Sequence, residues 1–124
     1  MRKGLTPILI ALLVCLCALP LTSARDRSNV QLISGEVISL ANYMAKGQRG
    51  PEAVEVGVFQ VEQRDLPIAI LDDESGQIYF PVGKNMTSPN AKLLPLMGMM
   101  VNAQGPVFRR HGVNMIELNI VAEQ

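Results

Sequence analysis

The sequence predicts a mainly β domain, a five-stranded OB-like barrel with a helix between strands 3 and 4 and a helical insertion after strand 1. Apolar segments of strand length recur from residue 30 to residue 121, and clusters of glycine, proline and polar residues separate them. A proline-containing helical segment follows the third strand. This order of strand, insertion, hairpin, short helix and second hairpin is that of an OB barrel.

The first predicted strand is Val30–Leu40, in which Val30 and Leu32 alternate with polar neighbours. Gly35 interrupts the pattern and Val37 resumes it, so we expect the strand to bend at Gly35. The six residues from 46 to 51 contain two glycines and a proline, which is typical of a loop.

Residues 53–64 are compatible with a helix or a strand. Val54, Val56 and Val58 alternate as they would in a strand. Val54, Val58 and Val61 also share one helical face, and Pro51 followed by Glu52 favours a helix N-terminus. The residues alone leave both assignments open.

A β-hairpin follows, with strands Leu66–Leu71 and Gln77–Val82 joined by the polar turn 72–76. Ser88 and Pro89 then predict the start of a helix that ends before Gly98, and Pro95 keeps it short.

The second hairpin starts with Met99–Gln104, in which Met99 is expected to face inward, and Gly105-Pro106 breaks or bulges it. Its return strand is Val113–Val121, an alternating segment. The predicted core consists of the apolar residues that this scheme turns inward: Leu32, Val37, Ile68, Ile70, Ile78, Val101, Ile116, Leu118 and Ile120.

Residues 1–24 are predicted to be a secretory signal peptide. Arg2 and Lys3 precede the apolar run Leu5–Leu21, and the small residues Thr22–Ala24 follow it. Cleavage after Ala24 leaves one domain, residues 25–124, in the periplasm or outside the cell. An uncleaved membrane anchor is the alternative. Both cysteines lie in the leader, so the mature domain is expected to contain neither a disulfide nor a thiolate metal site.

The charge balance argues against nucleic acid as a partner. Loss of Arg2 and Lys3 leaves nine of the eleven basic residues against eleven acidic ones, a net charge of −2 with His111 neutral. Nucleic-acid binding requires clustered basic residues. We also expect no membrane association once the leader is cleaved.

Five different short motifs lie along the mature chain: Gly35-Glu36-Val37, Gly50-Pro51-Glu52, Leu66–Ala69, Gly76–Tyr79 and the segment 101–105. In these motifs the chain resembles an uncharacterised family of small exported bacterial OB-like proteins. The resemblance implies the same barrel with a helix at Ala53–Arg64. The family has a histidine and two cysteines where this chain has Ala53, Val56 and Gln60, so the resemblance implies no metal, haem or redox role here.

Methionine is the residue type that suggests a metal. Met97, Met99 and Met100, with His111, could bind Cu(I) through soft thioether and imidazole ligands if they converge. Methionine is also a flexible filler of apolar cores, and that interpretation is favoured. The acidic turn at 72–74 lacks the spacing of a calcium loop and is interpreted as a solvated turn.

The sequence contains no residue pattern typical of catalysis, and it predicts no cofactor. We therefore expect an exported, non-enzymatic binding or interaction module whose partner is a cell-envelope protein, peptide or glycan. The ligand face over strands 2 and 3 is expected to include Tyr79, Phe80, the loop Met44–Pro51 and the turn near Asp72, and the groove there is predicted to be acidic. The expected ligand contacts are Arg49 and Tyr79, together with Arg109 and Arg110 at a loop tip. Tyr79 could instead pack inward. The alternative function is a periplasmic copper-binding protein that uses the methionine cluster.

Overall fold

The structure, a computed structural model, describes residues 29–124. The predicted signal peptide and its two cysteines lie outside these residues. Within the described range, none of the helices is both long and apolar enough to cross a membrane. The elements follow in chain order: β1 (Val30–Ser39), α1 (Leu40–Lys46), α2 (Val54–Arg64), β2 (Ile68–Asp72), β3 (Ile78–Val82), α3 (Asn90–Leu93), β4 (Met100–Arg110), β5 (Val113–Glu117) and β6 (Ile120–Glu123).

The strands close into a five-stranded mixed barrel, which confirms the predicted fold class. The strand β1 pairs with β2, and β2 pairs with β3, both antiparallel. The strand β3 then pairs in parallel with β5, which pairs antiparallel with β4. Antiparallel pairing of β4 with β1 closes the ring. The helix α3 lies between β3 and β4, and the helices α1 and α2 lie between β1 and β2.

The strand β1 changes neighbours at Gly35, where the sequence predicts a bend. Gly35 pairs with Val101 of β4 on one side and with Asp72 of β2 on the other. A Cβ at this position would collide with the carbonyl oxygen of Leu71. Glycine therefore allows three strands to approach closely at the point where the sheet curves into a barrel.

The ambiguous segment forms a helix, because α2 spans Val54–Arg64 behind a 3-10 turn at Pro51–Ala53. Gly57 and Val61 are buried on one side of it, whereas Val56 is exposed. The other helix of the insertion, α1, begins at Leu40, which the sequence assigned to the end of a strand. Ser39 occupies the N-cap position of α1 and is a residue type that favours helix starts, but its side chain makes no cap and instead donates to Oε1 of Gln60.

The barrel core contains most of the predicted apolar residues, but Leu32 and Ile120 were assigned to it wrongly. They are 69% and 60% exposed. In β1 the inward positions are those of Ile33 and Val37, so the prediction for Val37 is confirmed and the predicted phase before Gly35 was off by one residue. The core proper consists mainly of inward strand residues and of side chains from α2 and the α3 segment: Ile33, Val37, Val61, Ile68, Ile70, Tyr79, Leu93, Met97, Val101, Ala103, Val107, Ile116 and Leu118.

A bulge explains why Ile120 faces outward. Ile116 pairs with Val107 and Ile120 pairs with Gln104, so three residues on the β5–β6 side oppose two on β4. The extra residue turns Ile120 out and brings Val121 against the core. A Cβ at Gly105 would collide with the carbonyl oxygen of Glu117 in this bulge. A break at Gly105-Pro106 is therefore wrong, because β4 is continuous, and the bulge that was the alternative lies in the partner strands opposite these residues.

A second apolar cluster lies on the outer face of β1 and β2. Ile38, Ala69 and Leu71 form its buried part, and Leu40, Tyr43 and Ile78 pack against it. Ile78 thus belongs to this outer cluster and not to the barrel interior.

Asn42 of α1 is 2% exposed, and its side-chain amide makes no hydrogen bond with any described residue.

Candidate functional site

An open groove of about 760 Å³ lies on the outside of the barrel, between α1, β3 and the turn that joins β4 to β5. Alternation along β3 turns Tyr79 into the barrel and leaves Ile78 and Phe80 on the groove side. The helix α1 contributes Leu40 and Met44. The groove therefore has an apolar lining supplied by a strand and a helix.

One end of the groove is cationic. Arg109, Arg110 and His111 line it, and no aspartate or glutamate is among the groove residues. The positive φ angles of His111 and Gly112, 51° and 80°, form the tight turn that presents these side chains. The prediction that the groove would be acidic is wrong, because the turn that holds Asp72 contributes only its last residue, Gly76, to the lining.

Three side chains from three adjacent strands form a hydrogen-bonded row beside this end. Asn114 of β5 pairs in register with Tyr79 of β3 and with Arg109 of β4. Arg109 donates from Nη2 to the hydroxyl of Tyr79 at 2.8 Å and from Nε to Oδ1 of Asn114 at 3.1 Å. Asn114 in turn donates from Nδ2 to the carbonyl oxygen of Ile78 at 3.3 Å. The guanidinium is thus held in one orientation.

Tyr79 does not present its ring to a ligand. It points into the barrel and is 3% exposed, as the alternative interpretation of the sequence allowed. Its position is nevertheless close to the groove, because its hydroxyl holds Arg109 and the guanidinium carbon lies 5.9 Å from its ring centroid. Tyr79 is a positioning residue for an exposed arginine.

Arg49 lies elsewhere, in the connection between α1 and α2. Its Nε donates to Oε1 of Glu36 at 3.2 Å, and the backbone N–H of Gly50 donates to Oε2 at 2.8 Å. The Glu36 side chain is 7% exposed and that of Arg49 is 44% exposed. These contacts tie the connection to the barrel wall, and Arg49 is not among the residues that line the groove.

The methionines do not converge with the histidine. Met97 is 4% exposed and packs in the core, and its sulfur would lie 3.1 Å from a Cβ placed on Gly57. Met99 is 40% exposed, so the prediction that it faces inward is wrong. Met100 begins β4 and His111 follows its other end, a separation of roughly 33 Å along a strand of this length. The structure therefore does not favour the copper hypothesis.

The described residues contain no group of three or more histidine, cysteine, aspartate or glutamate side chains that could hold a metal ion. The sequence did not assign Leu40, Ile78, Val113 and Asn114 to the site, whereas Met44 and Phe80, which were expected on the ligand face, do line the groove. Alternation in β3 was the signal for Ile78, since it places this residue on the same face as Phe80. The contribution of Leu40 at the start of α1 had no comparable signal.

Comparisons with protein-family models, with curated proteins and with solved structures found no match to this chain. The resemblance to a family of exported OB-like proteins remains a prediction.

Proposed function

We propose that the protein is an exported, non-enzymatic binding module that holds a ligand from the cell envelope in the groove between α1, β3 and the β4–β5 turn. The observation that carries this proposal is the combination of an apolar lining with a cationic end that contains no acidic side chain. Such a surface provides both burial and orientation for a ligand.

The position of the groove supports the proposal. OB barrels commonly bind ligands over strands 2 and 3, between the loops that follow strands 1 and 4. The groove lies over β3 and is bordered by α1, which follows β1, and by the turn after β4. Its volume falls within the roughly 300 to 1,000 Å³ of typical ligand pockets.

The chemistry of the lining favours binding over catalysis. Two of the groove's polar side chains, Arg109 and Asn114, are hydrogen-bonded to each other. Among the lining residues, His111 is accompanied by neither a nucleophile nor a carboxylate that could orient it. Phe80 is the single aromatic residue of the lining, whereas single-stranded nucleic acid requires a series of stacking rings.

Nuclear magnetic resonance can test the location of the site. The ¹⁵N-labelled protein is titrated with a panel of short peptides and oligosaccharides derived from bacterial cell envelopes. We expect at least one panel member to shift the amides of Ile78, Phe80 and Val113. Phe80→Ala should abolish these shifts, whereas Phe59→Ala, which removes a 51% exposed ring on α2, should preserve them. Shifts confined to another face, or no shifts with any panel member, would contradict the proposal.

Export is tested separately. The full chain is expressed in a bacterium, and the N-terminus of the accumulated product is sequenced. A product that begins within a few residues of Arg25 is the expected result. A membrane-embedded product that retains Met1 would show that the leader is an anchor.

A further inference from the structure

We infer that the groove binds an apolar molecule that ends in a carboxylate, and that Arg109 binds the carboxylate. This inference rests on the proposed function of the same groove and specifies the chemistry of its ligand. It depends on the orientation of one guanidinium, on the lack of a counter-charge beside it and on the apolar lining next to it.

The guanidinium of Arg109 is engaged along one edge only. Nε donates to Asn114 and Nη2 donates to Tyr79, and these two atoms form the side edge of the group. The end edge, made of Nη1 and the second N–H of Nη2, donates to no other described residue. A carboxylate can accept two parallel hydrogen bonds from such an edge.

The partners of Arg109 are themselves fixed. Tyr79 is 3% exposed and Asn114 is 8% exposed, and both belong to paired strands. The arginine itself is exposed, so a ligand can reach it. Because the side chain is already held, binding costs less conformational entropy than it would for a free arginine.

The positive charge of Arg109 is not neutralised within the described part of the chain. Its two hydrogen-bond acceptors are neutral, and the salt bridge found among residues 29–124 joins Arg49 to Glu36. Arg110 lies beside it at the same end of the groove. An anionic ligand would therefore gain attraction there without displacing an internal acidic partner.

The remaining lining favours an apolar ligand body. Val113 is 52% exposed and Met44 is 67% exposed. Ile78 and Phe80 of β3 also line the groove. Burial of these side chains by a ligand would remove apolar surface from water. A planar carboxylate attached to an apolar body matches this arrangement, and both a peptide C-terminus and a fatty acid have this chemistry.

Three probes test the inference on the purified protein: acetyl-Leu-Phe with a free carboxylate, the same dipeptide as its C-terminal amide, and octanoate. Affinities are measured by titration of the groove amides in ¹⁵N spectra. We expect the acid to bind about tenfold or more tightly than its amide. Octanoate binding at the same amides more tightly than the acid would identify a fatty acid as the source. Binding of the peptide acid alone would identify a peptide C-terminus.

Two arginine variants provide the matched comparison. Arg109→Gln should reduce the affinity for the acid about tenfold or more and leave that for the amide unchanged. Arg64→Gln should change neither affinity, although Arg64 likewise lies over an aromatic ring, 5.8 Å from the centroid of Phe59. Native-like spectra and urea midpoints for both variants are required before affinities are compared. If Arg109→Gln does not fold, Arg109→Lys replaces it, and the loss of bidentate geometry should still weaken acid binding.

Several results would overturn the inference. If the acid and the amide bind in the groove with equal affinity, or if Arg109→Gln weakens both equally, the groove binds ligands but does not select a carboxylate. The proposed function would then stand without the inference. If none of the three probes shifts the groove amides, the inference is wrong, and the peptide and oligosaccharide panel decides the proposed function independently.

Discussion

The hydroxyl of Tyr79 accepts a hydrogen bond of 2.8 Å from Arg109, a residue thirty positions away in the sequence. The two residues lie on β3 and β4, and Asn114 of β5 separates them in the sheet. An exposed cation at the groove is therefore oriented by a side chain from the barrel interior.

This contact predicts that Tyr79→Phe destabilises the protein by about 1 kcal/mol, because it removes a hydrogen bond with a charged group that is partly solvated. Tyr79→Ala should cost about 3 to 5 kcal/mol, since it also leaves a cavity. Urea denaturation measures both changes. A Tyr79→Phe variant as stable as the parent would show that solvent replaces the bond without cost.

The bulge between β5 and β6 predicts opposite outcomes for two isoleucines four residues apart. Ile116→Ala should lower the free energy of unfolding by about 2 to 5 kcal/mol, because Ile116 is fully buried. Ile120→Ala should change it by less than about 0.5 kcal/mol, because Ile120 is 60% exposed. Chemical denaturation of the two variants compares identical substitutions, and equal losses would place Ile120 in the core.

The same bulge predicts that β4 tolerates no side chain at Gly105. A Cβ there meets the backbone oxygen of Glu117, so Gly105→Ala requires two strands to separate and should cost about 3 kcal/mol or more. Gln104→Ala, one residue away on an exposed position, is the control and should cost little. Thermal unfolding distinguishes them, and a stable Gly105→Ala variant would contradict the close approach.

These positions show what could be predicted from the sequence. Alternation of Ile116 and Leu118 correctly identified a half-buried strand, because the period of a strand is local. The outward turn of Ile120 depends on an approach of Glu117 to Gly105, which local pattern does not contain. The site follows the same rule. Arg109 was predicted as a surface residue and Tyr79 as an alternative between surface and core, but their contact depends on the register of three strands.

The ion pair between Arg49 and Glu36, which holds the connection between α1 and α2, is predicted to affect the stability of the protein but not ligand binding in the groove. Glu36→Ala removes the acceptor of the Gly50 N–H and of Arg49, so it should cost about 1 to 3 kcal/mol. Arg49→Gln should cost less, since Glu36 keeps its bond to Gly50 and the Arg49 side chain is 44% exposed. Neither variant should alter probe binding in the groove. A weaker affinity in Arg49→Gln would restore Arg49 as a ligand contact.

The buried amide of Asn42 predicts a stabilising substitution. Because this side chain is 2% exposed and makes no hydrogen bond with a described residue, Asn42→Leu should raise the free energy of unfolding by about 1 kcal/mol. Asn42→Asp, which has the same shape but introduces a charge, should be destabilising. Differential scanning calorimetry measures both. A destabilised leucine variant would indicate that the amide has a bound partner, such as an ordered water.

The barrel closes through two junctions of unequal length. Seven residue pairs join β1 to β4, whereas four join β3 to β5. Arg109 reaches across the shorter junction to Tyr79, so a ligand held by this arginine would fasten the two halves of the sheet together. Local opening of the barrel and ligand release would then be one event. The protection of the β3 amides against hydrogen exchange should consequently rise with ligand concentration, in parallel with occupancy of the groove.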